Sequence, residues 1–292
     1  MSNPQIADIG LGHTILRRAS LTPNAKALTF EGETWTYAEL GDRVRRLATI
    51  LRDGGVSRGD RVGYIGLNHP SFLEILYACG CLGAVFVPLN FRLTGPEIIF
   101  IANDADITVM FADNMLQPLI EEEKANLNCT RYLTIENDAD GWEALEPLMV
   151  GADPIVASEH VGADEIAFIM YTSGTTGLPK GAMLTHGNVF WNSINVCFGE
   201  DTMTTTTLTC APLFHIGGLN VTTLLSLAKG IEVVLLRSFD AGTVLALIEK
   251  HKVGRMFGAP TMFLMMAQHE SFAPTALSSL STLTCGGAPV PG

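Results

Sequence analysis

The chain has 292 residues, enough for one large α/β domain or two lobes around a substantial core. Its residues are 47% hydrophobic and 16% charged, as is typical of a globular protein, and 18 basic against 30 acidic side chains give a net charge of −12. This balance, with no basic stripe along the chain, excludes the positive surface that a nucleic-acid-binding protein needs.

The first half of the chain predicts alternating strands and helices. A hairpin comes first, with strands at 27–30 and 34–37 on either side of a Glu-Gly turn. Thr36 and Glu39 then form a capping-box pattern that starts a helix reaching about residue 53. The pattern that follows predicts strands at 62–65, 84–87 and 107–111, a helix at 70–82, and a helix from a second capping box at 94–97 to about residue 103.

A second alternating series follows residues 137–162, which are rich in Asp, Gly and Pro and are interpreted as a surface connection. The predicted strands are 166–171, 208–211, 232–236, 254–257 and 282–285, and the predicted helices are 186–196, 219–227, 241–251 and 262–269. Such alternation predicts mainly parallel sheets flanked by helices. We therefore expect an α/β fold of two lobes, residues 1–160 and residues 161–292.

The cysteines and the apolar segments indicate the cellular compartment of the protein. The six cysteines form no C-x-x-C pair and no Cys/His cluster of zinc spacing, and we interpret them as small buried hydrophobes in a reducing environment. The N-terminus lacks the features of a signal peptide. The longest apolar stretch, residues 75–89, is interrupted and shorter than the ~20 residues of a membrane span. We expect a cytoplasmic protein with no transmembrane segment, and leave peripheral membrane contact and oligomeric state open.

One segment carries most of the chemical information: residues 171–181, Tyr-Thr-Ser-Gly-Thr-Thr-Gly-Leu-Pro-Lys-Gly. It is predicted to follow an apolar strand and to precede a helix, where α/β folds bind ligands. Its glycines allow close approach of the backbone, its hydroxyl groups can donate to phosphate oxygens, and Lys180 adds a positive charge. The segment therefore predicts a polyphosphate-binding loop.

Three familiar motifs do not fit this chain. The Walker A pattern needs Gly where Pro179 stands and Ser or Thr where Gly181 stands. The dinucleotide-binding pattern that Gly10 begins has Ile15 in place of its third glycine. No G-x-S-x-G sequence occurs, so Ser173 is not predicted to be a hydrolase nucleophile.

Residues 171–181 resemble the phosphate-loop signature of the adenylate-forming superfamily, which comprises acyl-CoA synthetases, luciferases and peptide-synthetase adenylation domains. Two further segments match in the same order. Residues 212–218, Pro-Leu-Phe-His-Ile-Gly-Gly, resemble the acyl-pocket histidine segment of the acyl-CoA ligase branch, and residues 286–289, Gly-Gly-Ala-Pro, resemble the turn against adenine. Residues 258–263 are similar to the pocket wall. The resemblance covers essentially the whole chain and is greatest to bacterial fatty acyl-CoA ligases.

The resemblance implies the large N-terminal domain of an adenylate-forming enzyme, truncated before the C-terminal domain, since the later motifs of the family are absent. It implies ATP-dependent activation of a carboxylic acid, medium- or long-chain fatty acids being favoured, to acyl-AMP. The acyl group then passes to coenzyme A, giving acyl-CoA, AMP and pyrophosphate, with Mg2+ as a cofactor. The 292-residue chain by itself is expected to have little or no activity.

The resemblance also implies roles for particular residues. Lys180 and His215 take the catalytic roles, and Thr172 also contacts Mg2+. The ATP-binding residues are Thr172, Ser173, Gly174, Thr175, Thr176, Gly177, Lys180, Gly286, Gly287, Ala288 and Pro289. The acyl-pocket residues are Phe214, His215, Ile216, Gly218, Phe257, Gly258 and Met262. A core histidine is the alternative for His215, and an ordinary turn is the alternative for residues 286–289.

Three other functions stay open. An aryl acid could take the place of the fatty acid. A peptide-synthetase adenylation domain is disfavoured, because such domains pair the substrate ammonium with an Asp where this chain has His215. A non-catalytic nucleotide-binding fragment is the third alternative.

Overall fold

The computed structural model describes residues 8–172, 178–199, 205–273 and 275–289. The helices are α1 (Leu11–Leu21), α2 (Tyr37–Asp53), α3 (Pro70–Leu82), α4 (Gly95–Asp104), α5 (Gln117–Glu123), α6 (Leu145–Gly151), α7 (His186–Gly199), α8 (Ile216–Gly218), α9 (Leu224–Lys229), α10 (Ala241–His251) and α11 (Pro260–Gln268). The strands are β1 (Lys26–Phe30), β2 (Glu33–Thr36), β3 (Arg61–Ile65), β4 (Val85–Leu89), β5 (Ile107–Ala112), β6 (Arg131–Thr134), β7 (Glu143–Ala144), β8 (Ile166–Thr172), β9 (Lys180–Thr185), β10 (Thr207–Thr209), β11 (Val233–Leu235), β12 (Arg255–Gly258) and β13 (Thr282–Cys285).

The chain divides into two compact units, each with its own sheet. Unit 1 comprises Met1–Leu16, Gly41–Gly66 and Ser71–Phe190, and unit 2 comprises Arg17–Leu40, Leu67–Pro70 and Trp191–Gly292. The sheet of unit 1 has the order β7-β6-β5-β3-β4-β8-β9, and that of unit 2 has the order β13-β12-β10-β11-β1-β2. The predicted α/β class with two lobes of mainly parallel sheets is therefore confirmed.

Each sheet is parallel except at one edge. Among the strands that the structure describes, only β9 in unit 1 and β2 in unit 2 run antiparallel to their neighbours. The inner strands read as continuous buried runs, as in β4, where all five residues are buried. This pattern is expected of parallel strands covered by helices on both faces.

The division into units differs from the predicted boundary at residue 160. Strand β8 pairs with β4 at Phe86 and Phe168, both fully buried, so the segment that leads to the phosphate loop lies in unit 1. Residues 137–162 are not a simple connection either. They contain β7 and α6, and α6 buries Leu145 and Met149 within unit 1.

The cysteines only partly follow the expectation of burial. All six are free thiols; four are buried, Cys197 is half-buried and Cys285 is exposed at the end of β13.

Across the residues described, none of the helices has both the length and the apolar character required to cross a bilayer.

Helices α1 and α3 approach each other through glycines. A Cβ atom on Gly12 would lie 2.4 Å from the backbone nitrogen of Cys81, and one on Gly80 would lie 2.7 Å from the backbone nitrogen of Gly12. Close packing of the two backbones therefore requires glycine at both positions. Gly12, the second glycine of the incomplete dinucleotide pattern, therefore has a packing role.

A buried histidine ties the start of α7 to the start of α1 inside unit 1. Nδ1 of His186 accepts a hydrogen bond from the backbone N–H of Leu11 at 3.2 Å, and the side chain is 1% exposed. Burial lowers the pKa of His186 to about 4, against the opposing effect of the Glu165 and Asp8 carboxylates. The neutral imidazole is thus the form that the folded unit accommodates.

We predict that His186 makes unit 1 sensitive to acid. The unfolded state binds its proton near pH 6.5 and the folded state near pH 4, so stability present above pH 6.5 is lost as the pH falls toward 4. A shift of this size corresponds to roughly 3 kcal/mol. In H186N an amide oxygen can still accept the hydrogen bond from Leu11, but the side chain no longer takes up a proton. The free energy of unfolding, measured with urea at pH 7 and at pH 4.5, should therefore fall less on acidification than in the wild type. An equal fall in H186N and the wild type would contradict this prediction. The control is H13N, which replaces a half-exposed histidine.

Candidate functional site

The predicted phosphate loop connects the two strands of an antiparallel hairpin. Strands β8 and β9 pair from Ile166 opposite Thr185 to Thr172 opposite Lys180. The loop is therefore followed by a strand, and the prediction that it precedes a helix is wrong, since α7 begins only at His186. Residues Ser173, Gly174, Thr175, Thr176 and Gly177 lie outside the described residues.

The hairpin brings two predicted ligand residues together. Thr172 and Lys180 are paired across the strands, where the Cα atoms of facing residues are about 5 Å apart. Both side chains are exposed, and within the described part of the chain the Lys180 ammonium forms no ion pair. A hydroxyl and a positive charge therefore flank the two ends of the predicted loop.

The strand that precedes the loop is held by Tyr171. Its hydroxyl donates a 2.6 Å hydrogen bond to the Asp104 carboxylate at the end of α4, and both residues belong to unit 1. Burial and the negative charge of Asp104 raise the pKa of Tyr171, so the phenol stays protonated as a donor. A Cβ on Gly181 would lie 3.0 Å from the ring, so glycine lets the tyrosine lie over β9. The sequence pattern alone did not indicate this contact.

In unit 2 the strand order indicates where a ligand site is expected. Strand β11 follows β10 on one side, and the chain then crosses back to place β12 on the other side of β10. At such a reversal the carboxyl ends of adjacent parallel strands flank the crevice where open α/β sheets bind ligands. Phe214 and His215 follow β10, while Phe257 and Gly258 end β12, so the predicted acyl-pocket residues lie at this edge.

His215 lies at the start of α8 and is not a core residue. Its side chain is exposed, its backbone N–H donates to the Pro212 carbonyl at 3.2 Å, and its ring lies 4.2 Å from the ring of the buried Phe214. Ile216 is 46% exposed. Exposure at the carboxyl edge of the sheet favours a role in the site over that of a buried structural histidine.

A π-helical turn, Leu219–Thr223, separates α8 from α9. The Thr223 hydroxyl donates to the Gly218 carbonyl at 2.7 Å and pairs with the Thr209 hydroxyl of β10, also at 2.7 Å. The Asn192 amide donates to the Asn220 carbonyl at 3.0 Å. Side chains thus satisfy carbonyls that the wider turn displaces, and π turns of this kind are frequent at functional sites.

Aromatic rings fill the space beside the pocket glycines. A Cβ on Gly217 would lie 2.5 Å from the Phe257 ring, and one on Gly258 would lie 3.1 Å from the Phe263 ring. A Cβ on Gly218 would meet the Pro212 carbonyl at 2.4 Å, which is backbone. None of these three glycines faces open space: Gly217 and Gly258 face rings, and Gly218 allows a tight backbone turn.

The remaining predicted residues follow β12 and β13 at the same edge of the sheet. Residues 286–289 form an exposed turn after β13, joined to β12 by a bond from the Gly286 N–H to the Gly258 carbonyl at 3.3 Å. Gly287 has a φ of 83°, which favours glycine. Met262 is buried in α11, and its sulfur accepts from the Ala259 N–H at 3.3 Å.

Among the residues described, no group of three or more His, Cys, Asp or Glu side chains could hold a metal ion. Mg2+ typically takes one or two protein oxygens together with water and substrate phosphates. Thr172 is the last residue of β8, and its exposed hydroxyl is suitable as one such oxygen ligand.

Comparison with known proteins identifies related sequences. The profile described as AMP-binding enzyme matches residues 15–292. A feruloyl-CoA synthase of Amycolatopsis sp is 46% identical over 97% of this chain and 55% of its own length. A long-chain-fatty-acid–CoA ligase, FadD13, of Mycobacterium tuberculosis is 31% identical over 96% of this chain and 56% of its own length. The chain thus spans about half the length of the curated relatives it matches.

A solved structure agrees with the fold. The inhibitor-bound N-terminal domain of FACL13 from Mycobacterium tuberculosis superposes with a TM-score of 0.90 at 29% identity. The superposition covers 97% of this chain and 71% of that one.

We predict that Gly218 and Gly286 respond differently to alanine. In G218A the new methyl group meets the Pro212 carbonyl, so the backbone must shift, at about 1–3 kcal/mol in the free energy of unfolding. In G286A the nearest atom, on the Phe257 ring, is 3.4 Å away, and we expect a change within about 0.5 kcal/mol. Urea denaturation checks both variants, and a G218A as stable as G286A would contradict the packing described.

Proposed function

We propose that this chain, which belongs to the AMP-binding enzyme family, is the part of an acyl-CoA ligase that activates a carboxylic acid with ATP. The carboxylate attacks the α-phosphorus of ATP, the bond to the bridging oxygen breaks, and pyrophosphate leaves with the electron pair. The thiol of coenzyme A then attacks the acyl-AMP carbonyl, loses its proton and displaces AMP. The observation that supports this most is the family match together with Thr172 facing Lys180 at the loop.

The proposed role of the β8–β9 hairpin is to hold the triphosphate. Nucleotidyl transfer asks a protein mainly for positioning and charge stabilisation. Lys180 places a positive charge that lacks an ion-pair partner among the described residues where the β- and γ-phosphates would bind, and it would stabilise the departing pyrophosphate. The hydroxyls and glycines of residues 172–177 would donate hydrogen bonds to phosphate oxygens, and Thr172 would also contact Mg2+.

The crevice of unit 2 is proposed to bind the acid and the adenine. Phe214, Phe257 and Met262 would give the acid an apolar wall, and His215, exposed beside them, would face the reacting carboxylate. The exposed turn of residues 286–289 offers its backbone groups to the adenine and to the acyl-adenylate. No acidic side chain belongs to the predicted wall, which disfavours a substrate with an ammonium group.

For the substrate we propose an aryl acid of the hydroxycinnamic kind in place of the favoured fatty acid. The relative that is 46% identical is called a feruloyl-CoA synthase, whereas the fatty-acid ligase is 31% identical. The structure adds that Phe257 and Phe263 fill the space beside Gly217 and Gly258. A flat ring can stack against such rings, while a long alkyl chain needs an open channel. Fatty acids remain the second candidate, supported by the apolar wall.

We predict a preference for aryl over alkyl acids in acyl-CoA formation. With ATP, Mg2+ and coenzyme A, the protein that carries this chain should use ferulic acid with a kcat/KM at least about tenfold above that for hexanoic or dodecanoic acid. The fatty-acid candidate predicts instead that kcat/KM rises about fourfold per methylene, or about 0.8 kcal/mol, until the pocket ends. A steady rise with chain length would contradict the aryl proposal.

We predict that K180A impairs the phosphate-dependent steps selectively. Loss of one charge-assisted contact should cost about 1.5–3 kcal/mol of transition-state stabilisation and so lower kcat/KM for ATP. Inhibition by adenosine should change little. K250A removes the same charge from the exposed end of α10 and serves as the matched control. Wild-type use of ATP by K180A would show that Lys180 does not contact the phosphates.

A further inference from the structure

A buried asparagine joins the ends of two strands at the edge of the unit 2 sheet. Asn68 is 4% exposed and lies in the short segment Leu67–Pro70, which belongs to unit 2. Its side-chain amide donates to the carbonyls of Ala211 and Leu236, both at 3.0 Å. Its side-chain oxygen accepts from the Leu213 N–H at 2.8 Å. Nothing in the sequence pattern singled out this residue.

The strands explain why a carboxamide is needed there. Strands β10 and β11 end at Thr209 and Leu235, so the carbonyls of Ala211 and Leu236 lie beyond the regular ladder. Ala211 is nevertheless buried. Buried carbonyl and N–H groups need partners. A carboxamide offers two donors and an acceptor without a charge, and Asn68 uses all three on backbone groups.

The hydrogen bonds of Asn68 reach the chain directly before His215. Ala211 and Leu213 lie four and two residues before the histidine, and the His215 N–H closes a turn onto Pro212. Gly218 packs on the same backbone, since a Cβ there would lie 2.9 Å from the Ala211 carbonyl. Two of the three hydrogen bonds of Asn68 therefore hold the backbone at Ala211 and Leu213, and the third ties it to Leu236 at the end of β11.

We propose that Asn68 is a positioning residue that sets the place of His215 and Phe214 in the acid-binding crevice. The functional part of this statement rests on the proposed acyl-CoA ligase activity. Asn68 acts on these two residues through the backbone of Ala211 and Leu213 and is not itself assigned a contact with substrate. Its loss should therefore disturb recognition of the acid more than recognition of ATP.

The test compares an isosteric variant with a partly conservative one. N68L keeps the branched shape of the side chain and removes all three hydrogen bonds, while N68S keeps one donor and one acceptor. We expect the KM for the acid to rise about tenfold or more in N68L, less in N68S, with the KM for ATP within about twofold of wild type. The matched control is T207V, which removes the buried 2.7 Å hydroxyl pair of Thr207 and Ser226 at the other end of β10.

A second readout does not depend on catalysis. The imidazole NMR signals of His215, assigned by comparison with H215Q, should shift in N68L and stay unchanged in T207V. Absence of turnover with any acid in the wild type would overturn the proposed function, yet the His215 signals would still decide the role of Asn68. An unshifted His215 signal, or KM values for acid and ATP that rise together in N68L and T207V, would overturn the proposal.

Discussion

The parallel direction of the strands is the constraint on which the candidate site depends. In each sheet the described strands run parallel except for one edge strand, so their carboxyl ends meet at the same edge. The chain leaves each strand there through a loop, and the backbone groups beyond the strand ends must find partners outside the ladder. In unit 1 that edge carries Thr172, and in unit 2 it carries Phe214, His215 and the turn after β13.

Side chains in unit 2 meet that demand for backbone partners. Asn68 satisfies the carbonyls of Ala211 and Leu236, and Thr223 satisfies that of Gly218 in the π turn. Rings occupy the remaining space, with Phe257 against Gly217. An edge built this way holds its loops in one arrangement, which a site that works by positioning requires.

The sequence predicted much of the fold because its local signals are strong. The helices at 70–82 and 241–251 and the strand at 282–285 were predicted with the bounds that the structure has, and both capping boxes form, with Thr36 on Glu39 and Thr94 on Glu97. Local periodicity and cap chemistry suffice for such elements. The order of the motifs along the chain predicted the family.

Other features depend on distant partners and could not be predicted from a local pattern. Strand β9 was not predicted because Gly181 and Ala182 are poor strand formers. It forms because it pairs with β8. The boundary at residue 160 failed to match the units because β8 completes the sheet of unit 1. The contact of the Phe257 ring with Gly217 and the hydrogen bonds of Asn68 join residues far apart in sequence.

We propose above all that the protein that carries this chain activates a carboxylic acid as its adenylate, and exchange of labelled pyrophosphate into ATP measures that step alone. Without coenzyme A, the protein that carries this chain should incorporate label only when an acid is present, and fastest with an aryl acid such as ferulic acid. Label that enters ATP equally without any acid, or no exchange with any aryl or fatty acid while ATP still binds, would contradict the account.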